Sequence, residues 1–350
     1  MPLTSLITNK SNILYLSGFS GSHGFILITK NKKILFTDSR YIEEARNKIP
    51  KSIEVMNVTK LWKNPKELKK EWIAVLKKLR IKTLGFEGGS LTVNQFKKYK
   101  KISPGIKFRD ITGEIERLRE KKTKKEISLI KKSQKITERT FELIKKFIQQ
   151  HKNKKLREID VAWEIKRLGF SLGAEDVSFE PIVAFGKNSS VPHHKSDDTI
   201  LKKDDLILVD MGMKYKNYCS DMTRVIFLAK PTPLQKKIFS IVLAAQKNAI
   251  NKIKIGMVEQ KIDSLSRSVI ESHGYGENFS HGTGHGVGLD IHESPNLSPL
   301  GKQKIRKGMV TTIEPGIYLP GKFGIRLENM VLITGKGVEN LTNCSINQRD

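Results

Sequence analysis

A chain of 350 residues exceeds one ordinary domain, and its 38% hydrophobic and 29% charged residues exclude a disordered or membrane-embedded protein. Lys+Arg 64 against Asp+Glu 36 leaves a formal net charge of +28, a balance that raises nucleic acid as a partner. The excess is mostly lysine dispersed along polar helix faces, as in residues 68–80 and 130–139, with no basic block interleaved with aromatics, so it reads as solvated surface.

The first third alternates short apolar strands with helices, the order of an α/β unit. Strands are expected at 13–18, 25–29, 33–38, 53–58 and 83–87, with helices at 39–48, 66–80 and 92–101. No group of histidines and carboxylates gathers here, so this region is expected to be structural. Around residues 111–123 the pattern becomes strongly charged, which marks an inter-domain connection. Thr123 and Glu126 then form a TxxE capping box that opens a long helix.

Further helices are predicted at 158–168, 233–253 and 258–272, stopping ahead of Gly169, Gly256 and Gly274. Between them lie strands at 206–212, 218–229, 309–315 and 324–334. Strands joined by short turns imply an antiparallel sheet, so the second domain is read as α+β. Cys219 and Cys344 are the only cysteines, too few for a disulfide framework. The N-terminus has no basic region leading into an apolar core, and no run approaches the ~18 apolar residues of a membrane span. These features lead to the expectation of a cytoplasmic protein without membrane contact.

Two hairpins carry acidic residues whose placement follows from the turn. A turn centred between Tyr215 and Lys216 sets Asp210 opposite Asp221, and a turn centred on Gly321 sets Glu314 opposite Glu328. Directly opposed residues have β-carbons ~5 Å apart, where like charges repel. Any one of these residues alone reads as a solvated or salt-bridged acid at a strand end. Four carboxylates in two pairs, flanked by apolar strand residues, call for a cation.

Residues 279–293 bring three histidines, His281, His285 and His292, together within twelve positions. The HxxxH spacing resembles that of zinc protease helices, but Gly282, Gly284, Gly286 and Gly288 make a helix there implausible. A strand or loop that aims imidazoles into a cleft fits better. Such an oxygen-rich set favours Mn(II), Co(II) or Mg(II), with Zn(II) also compatible. A metal pair can activate water and polarise a carbonyl for hydrolysis. Glu314 is then the candidate acid/base, and His193 and His292 are candidates for oxyanion and substrate contacts. His193 lies in residues 185–199, a Ser-, Pro- and His-containing stretch between predicted strands that suits an active-site loop.

The motifs VPHH (191–194), VDMG (209–212), SDMTR (220–224), HGTGHGVGLDIHE (281–293), TIEPGIY (312–318) and GIRLEN (324–329) make the second domain similar to the Xaa-Pro peptidases. These are prolidase and aminopeptidase P, among the pita-bread metallopeptidases. YLSGFSGSHGFILIT (15–29) and FTDSRY (36–41) resemble the N-terminal domain of aminopeptidase P relatives. The resemblance implies a creatinase-like α/β domain over 1–118 and a pita-bread catalytic domain with a curved antiparallel sheet over 119–350. It implies two divalent ions held by Asp210, Asp221, His285, Glu314 and Glu328, with Asp221 and Glu328 bridging. His281 and Arg326 fall beside them, as supporting or substrate-contacting residues. A proline-containing peptide substrate and a homodimer follow from the same likeness.

One departure bears on specificity. Prolidases restricted to dipeptides commonly carry an arginine soon after the HE of the histidine motif, and here Asn296 stands in HESPNLSP (292–299). This favours an Xaa-Pro aminopeptidase over a dipeptidase, unless Arg326 or a partner-subunit residue holds the dipeptide's carboxylate. Noncatalytic pita-bread relatives that bind RNA or ribosomes, and metal-free relatives such as creatinase, are the other readings. Retention of all five ligand positions argues against both.

Overall fold

Apolar alternation builds the N-terminal sheet. In the computed structural model, which describes residues 4–60 and 64–346, the chain divides into two units, Met1–Arg119 and Glu120–Asp350. The first contains strands β1 (Ser5–Ile7), β2 (Gly24–Ile28), β3 (Lys33–Thr37), β4 (Ile53–Asn57), β5 (Thr83–Phe86) and β6 (Lys107–Asp110), in the order β4-β3-β2-β1-β5-β6. Leu6, Leu27, Ile34, Phe36 and Leu84 point to one core cluster, while Ile7, Ile26 and Leu35 point to another. Both faces of the sheet are therefore covered. Parallel pairs β3–β4, β1–β5 and β5–β6 need crossovers, and helices α1 (Lys10–Ser17), α2 (Ile42–Lys48), α3 (Pro65–Lys78) and α4 (Val93–Ile102) lie between the strands of this unit.

Of residues 13–18, expected as a strand, 13–17 fold within α1 instead and Gly18 caps it. Asn9 caps that helix by accepting the Asn12 N–H at 3.0 Å, and Gly18 ends it in the left-handed region at φ 77. Local capping decides the conformation where a short apolar run is ambiguous. The first strand, β1, lies upstream and was not anticipated.

After α5 (Glu114–Glu120), the long helix α6 (Lys124–His151) starts at the predicted capping box: Thr123 N–H donates to Glu126 Oε2 at 2.8 Å, and Glu126 N–H to Thr123 Oγ1 at 3.3 Å. Helix α7 (Glu158–Ser171) runs through Gly169, where a stop was expected. A Cβ at that position would fall on the sulfur of Met213, so this glycine permits close packing rather than ending the helix. Helices α8 (Pro233–Lys252) and α9 (Glu259–Ser272) pack on each other. Among the described residues, no helix is long and apolar enough to cross a membrane.

The strands of the second unit are β7 (Asp176–Val177), β8 (Ile182–Phe185), β9 (Leu206–Met211), β10 (Met213–Tyr215), β11 (Tyr218–Cys219), β12 (Met222–Phe227), β13 (Gly284–Gly286), β14 (Glu293–Leu297), β15 (Val310–Ile313), β16 (Gly316–Leu319), β17 (Phe323–Arg326), β18 (Asn329–Thr334) and β19 (Gly337–Asn340). They form sheets β11-β10-β7, β12-β9-β8, β14-β13-β15-β18-β19 and β16-β17. Among the described residues every strand pairing of this unit is antiparallel, which makes the unit α+β.

The two acidic hairpins behave differently. Lys216 and Asn217 have φ of 47 and 67, so the first turn closes between them, one residue later than expected. Asp210 consequently pairs with Thr223, not with Asp221, which lies two positions away along the partner chain. A shift by two keeps both aspartates on one face of the sheet. In the second hairpin the expected register holds on both flanks: Ile313 pairs with Asn329, and Gly316 with Arg326. Glu314 and Glu328 thus stand across from each other in the gap between two ladders. Pro315 has no N–H to extend the ladder through that gap.

Candidate metal centre

Three of the four carboxylates sit where the chain steps between consecutive strands: Asp221 between β11 and β12, Glu314 between β15 and β16, and Glu328 between β17 and β18. Asp210 is the penultimate residue of central strand β9. Released from a ladder, a backbone can turn its side chain into a common space. All four carboxylates, with His193, His281, His285, His292, Asn296 and Arg326, line one cavity of about 710 Å³.

His285 reaches that cavity from β13, the short glycine-flanked strand of the histidine motif. Glycine is required beside it: a Cβ on Gly284 would fall on the Thr312 carbonyl, and one on Gly286 on the Ser294 carbonyl. Neighbouring strands therefore approach so closely that His285 Nε2 lies 3.2 Å from Glu314 Oε1 and 3.6 Å from Asp221 Oδ2. Ligand-type atoms of Asp221, His285 and Glu328 lie within 4.8 Å of one another. Asp210 is held differently, by Arg326, whose Nη2 donates to Asp210 Oδ2 at 2.6 Å.

The supporting shell is built from hydroxyls. Thr223 Oγ1 donates to Glu328 Oε2 at 2.7 Å and accepts from Arg326 Nε at 3.1 Å. Thr312 Oγ1 donates to Glu314 Oε1 at 3.1 Å and accepts the His285 N–H at 3.0 Å. Tyr318 OH accepts from Arg326 Nη1 at 2.8 Å and lies 2.8 Å from His281 Nε2. Sequence reasoning missed these three residues, although each lies an even number of positions from an acidic residue on its strand path and so shares its face.

Burial and mutual repulsion dominate the electrostatics. Asp221 is pushed well above the usual carboxylate range by burial and by the charges of Glu328, Asp210 and Glu314. Glu328 is raised likewise, by burial and by Glu314 and Asp210. Burial also raises Asp210 despite the opposing Arg326 charge. For Glu314 burial acts upward too, but the His285 hydrogen bond and charge outweigh it and take the pKa to about 2. Burial would lower His285, yet Glu314 beside it wins and raises it to about 9.

Asp210 Oδ1, Asp221 Oδ1 and Glu328 Oε1 are buried without any hydrogen-bond partner. Orphaned carboxylate oxygens are costly, and three lining one cavity suit divalent cations in place of the missing donors. The donor set fits such ions.

The likeness to known proteins agrees with this chemistry. Residues 128–335 match Metallopeptidase family M24, and residues 4–121 match the Creatinase/Prolidase N-terminal domain. The chain belongs to metallopeptidase family M24. Membership implies divalent metal ions and the pita-bread fold for the second unit. The M24 chain is 36% identical over 337 residues to the Xaa-Pro dipeptidase of Pyrococcus furiosus, covering 96% of this chain and 92% of that protein. It superposes on the Xaa-Pro dipeptidase from Bacillus anthracis with a TM-score of 0.91 at 36% identity, covering 98% of this chain and 93% of the other. The X-Pro aminopeptidase from Thermotoga maritima gives a TM-score of 0.89 at 35% identity, covering 99% and 97%.

The remaining predicted positions are also placed. His193 and His292 are exposed at the cavity, and His292 packs edge-on against His285 with ring centroids 4.4 Å apart. His281 is fixed between the Gly282 carbonyl and Tyr318, with its pKa lowered chiefly by burial. Arg326 is buried and committed to Asp210, Tyr318, Thr223 and the Pro192 carbonyl.

Proposed function

We propose that this M24 chain is an Xaa-Pro aminopeptidase, hydrolysing the bond between an N-terminal residue and a following proline. Two divalent ions, Mn(II) or Co(II) by preference and Zn(II) as a further candidate, are assigned to Asp210, Asp221, His285, Glu314 and Glu328. Asp221 and Glu328 would be the ligands shared between the two ions. The observation that carries the reading is the trio of unpaired, buried carboxylate oxygens facing one cavity beside His285.

When bound, the ions supply the positive charge that makes a water molecule acidic and a peptide carbonyl electrophilic. Glu314 takes the proton of the attacking water and delivers it to the departing proline nitrogen. Thr312 orients that carboxylate through its hydroxyl. His193 and His292, exposed at the cavity, contact the substrate and the oxygen on which negative charge develops.

Length preference rests on a second observation. Among the described residues lining the cavity, Arg326 is the sole Lys or Arg, and its guanidinium is already engaged. A dipeptide's free carboxylate finds no spare cation there, which supports longer peptides as substrates. The relatives named dipeptidase favour the alternative.

The test uses Asp221→Asn and Glu328→Gln, assayed with Mn(II), Co(II) or Zn(II) on an Xaa-Pro dipeptide and an Xaa-Pro tripeptide. Loss of hydrolysis and of bound metal, with the fold retained, is expected. Unchanged turnover would overturn the site, and faster cleavage of the dipeptide would overturn the aminopeptidase preference.

A further inference from the structure

Glu158 opens helix α7, is fully buried, and lies outside the proposed metal centre. Its carboxylate gathers four nitrogen atoms. Oε1 accepts from Phe185 N at 2.7 Å and Asn188 Nδ2 at 2.9 Å. Oε2 accepts from Asp197 N at 3.2 Å and lies 2.6 Å from His194 Nε2. All four belong to residues 185–197, two ahead of His193 and two behind it.

One buried carboxylate therefore ties both ends of the segment that presents His193. The neck is closed further by Ser196, whose Oγ accepts the Val183 N–H at 2.9 Å. Nearer the tip, Ser189 Oγ accepts the Gly324 N–H at 2.8 Å and the Pro192 carbonyl accepts from Arg326 at 3.3 Å. An exposed connecting segment is ordinarily mobile, and here its path is set on each side of the imidazole.

Glu158, His194 and Asp197 also place ligand-type atoms within 4.8 Å of one another, as a metal site would. Two features favour a tie over an ion. Each Glu158 oxygen already has two nitrogen partners, which fills its ordinary acceptor capacity. Asp197 Oδ1 in turn accepts the Thr199 N–H at 2.8 Å. A cation would have to displace these donors.

We propose that Glu158, through its contact with His194 and the backbone around it, is the positioning residue that sets His193 against the substrate. This rests on the reading above that His193 works on the substrate side of the cavity. A misplacement of about 1 Å in a working group costs on the order of 100-fold in rate, which is the scale on which such a tie acts.

The test is a double-variant cycle on the metal-loaded protein with an Xaa-Pro tripeptide, using E158Q, H193A and E158Q/H193A, with bound metal and thermal unfolding measured alongside. E158Q is expected to lower kcat/KM by about 10- to 100-fold with metal content unchanged. The double variant is expected to match H193A within about twofold, because Glu158 acts only through that imidazole. Losses that multiply in the double variant, or removal of a bound ion by E158Q, overturn the proposal. H194A, which severs one tie and leaves Glu158 in place, repeats the cycle should E158Q fail to fold. Amide exchange over residues 186–196 separates the two layers. Faster exchange in E158Q beside a fully active H193A refutes the role of His193, whereas unchanged exchange refutes the tie.

Discussion

Arg326 and Asp210 form a buried ion pair, Nη2 to Oδ2 at 2.6 Å, with side chains 4% and 12% exposed. The guanidinium is the built-in countercharge of a four-carboxylate cavity, and Tyr318 and Thr223 hold it in place. Replacing it with a neutral chain, Arg326→Met, strands Asp210. Breaking one side of a buried pair costs about 3–5 kcal/mol, so the metal-stripped variant should unfold at markedly lower urea concentration. An unmoved midpoint would show that Asp210 needs no such partner.

Thr223→Val keeps the shape of the side chain and removes both of its hydrogen bonds, one to Glu328 and one from Arg326. Leaving buried polar groups unmatched costs about 1–3 kcal/mol. Loss of a residue that orients a ligand lowers metal affinity by roughly 10- to 100-fold. Titration of the stripped variant with Mn(II), followed calorimetrically, should show this weakening.

Stabilisation by metal should grow with pH. Asp221, Glu328 and Asp210 have folded-state pKa values above their ordinary ones, so their contribution is complete below the ordinary carboxylate range and is lost as pH rises through the raised values. His285, raised to about 9, likewise loses its contribution as pH passes that value. Glu314, lowered to about 2, is lost only in strong acid and does not alter the sign above pH 5. The stripped protein should weaken from pH 5 to pH 8, and the gain in melting temperature on adding metal should widen over that interval. A gain that narrows instead would contradict the raised carboxylates.

Gly284→Ala places a methyl group on the Thr312 carbonyl, a backbone atom that cannot step aside. The strands around His285 must separate, so the expected result is loss of metal binding together with a drop in thermal stability. Full metal content in a stable variant would mean that β13 can move without cost.

How much of this was legible beforehand varies from element to element. The Thr123 capping box and the Gly321-centred hairpin depend on neighbours in sequence, and both stand as expected. The Asp210 hairpin lies one turn position from expectation because Asn217, a residue that tolerates left-handed backbone, takes the second place of the turn. Residues 13–18 misled because apolar runs of that length do not separate strand from helix. Glu158 was beyond reach: its importance comes from four partners that lie 27 to 39 positions away, and no local pattern announces them.

The hairpin that carries Glu314 and Glu328 keeps one register through two separate ladders, one on either side of the acidic pair. Its two halves behave like a zipper clasped above and below two missing teeth. Extra residues at the Gly321 tip would change neither clasp, so the loop is free to lengthen. One extra residue beside Pro315 would throw the halves out of step and carry a carboxylate out of the cavity.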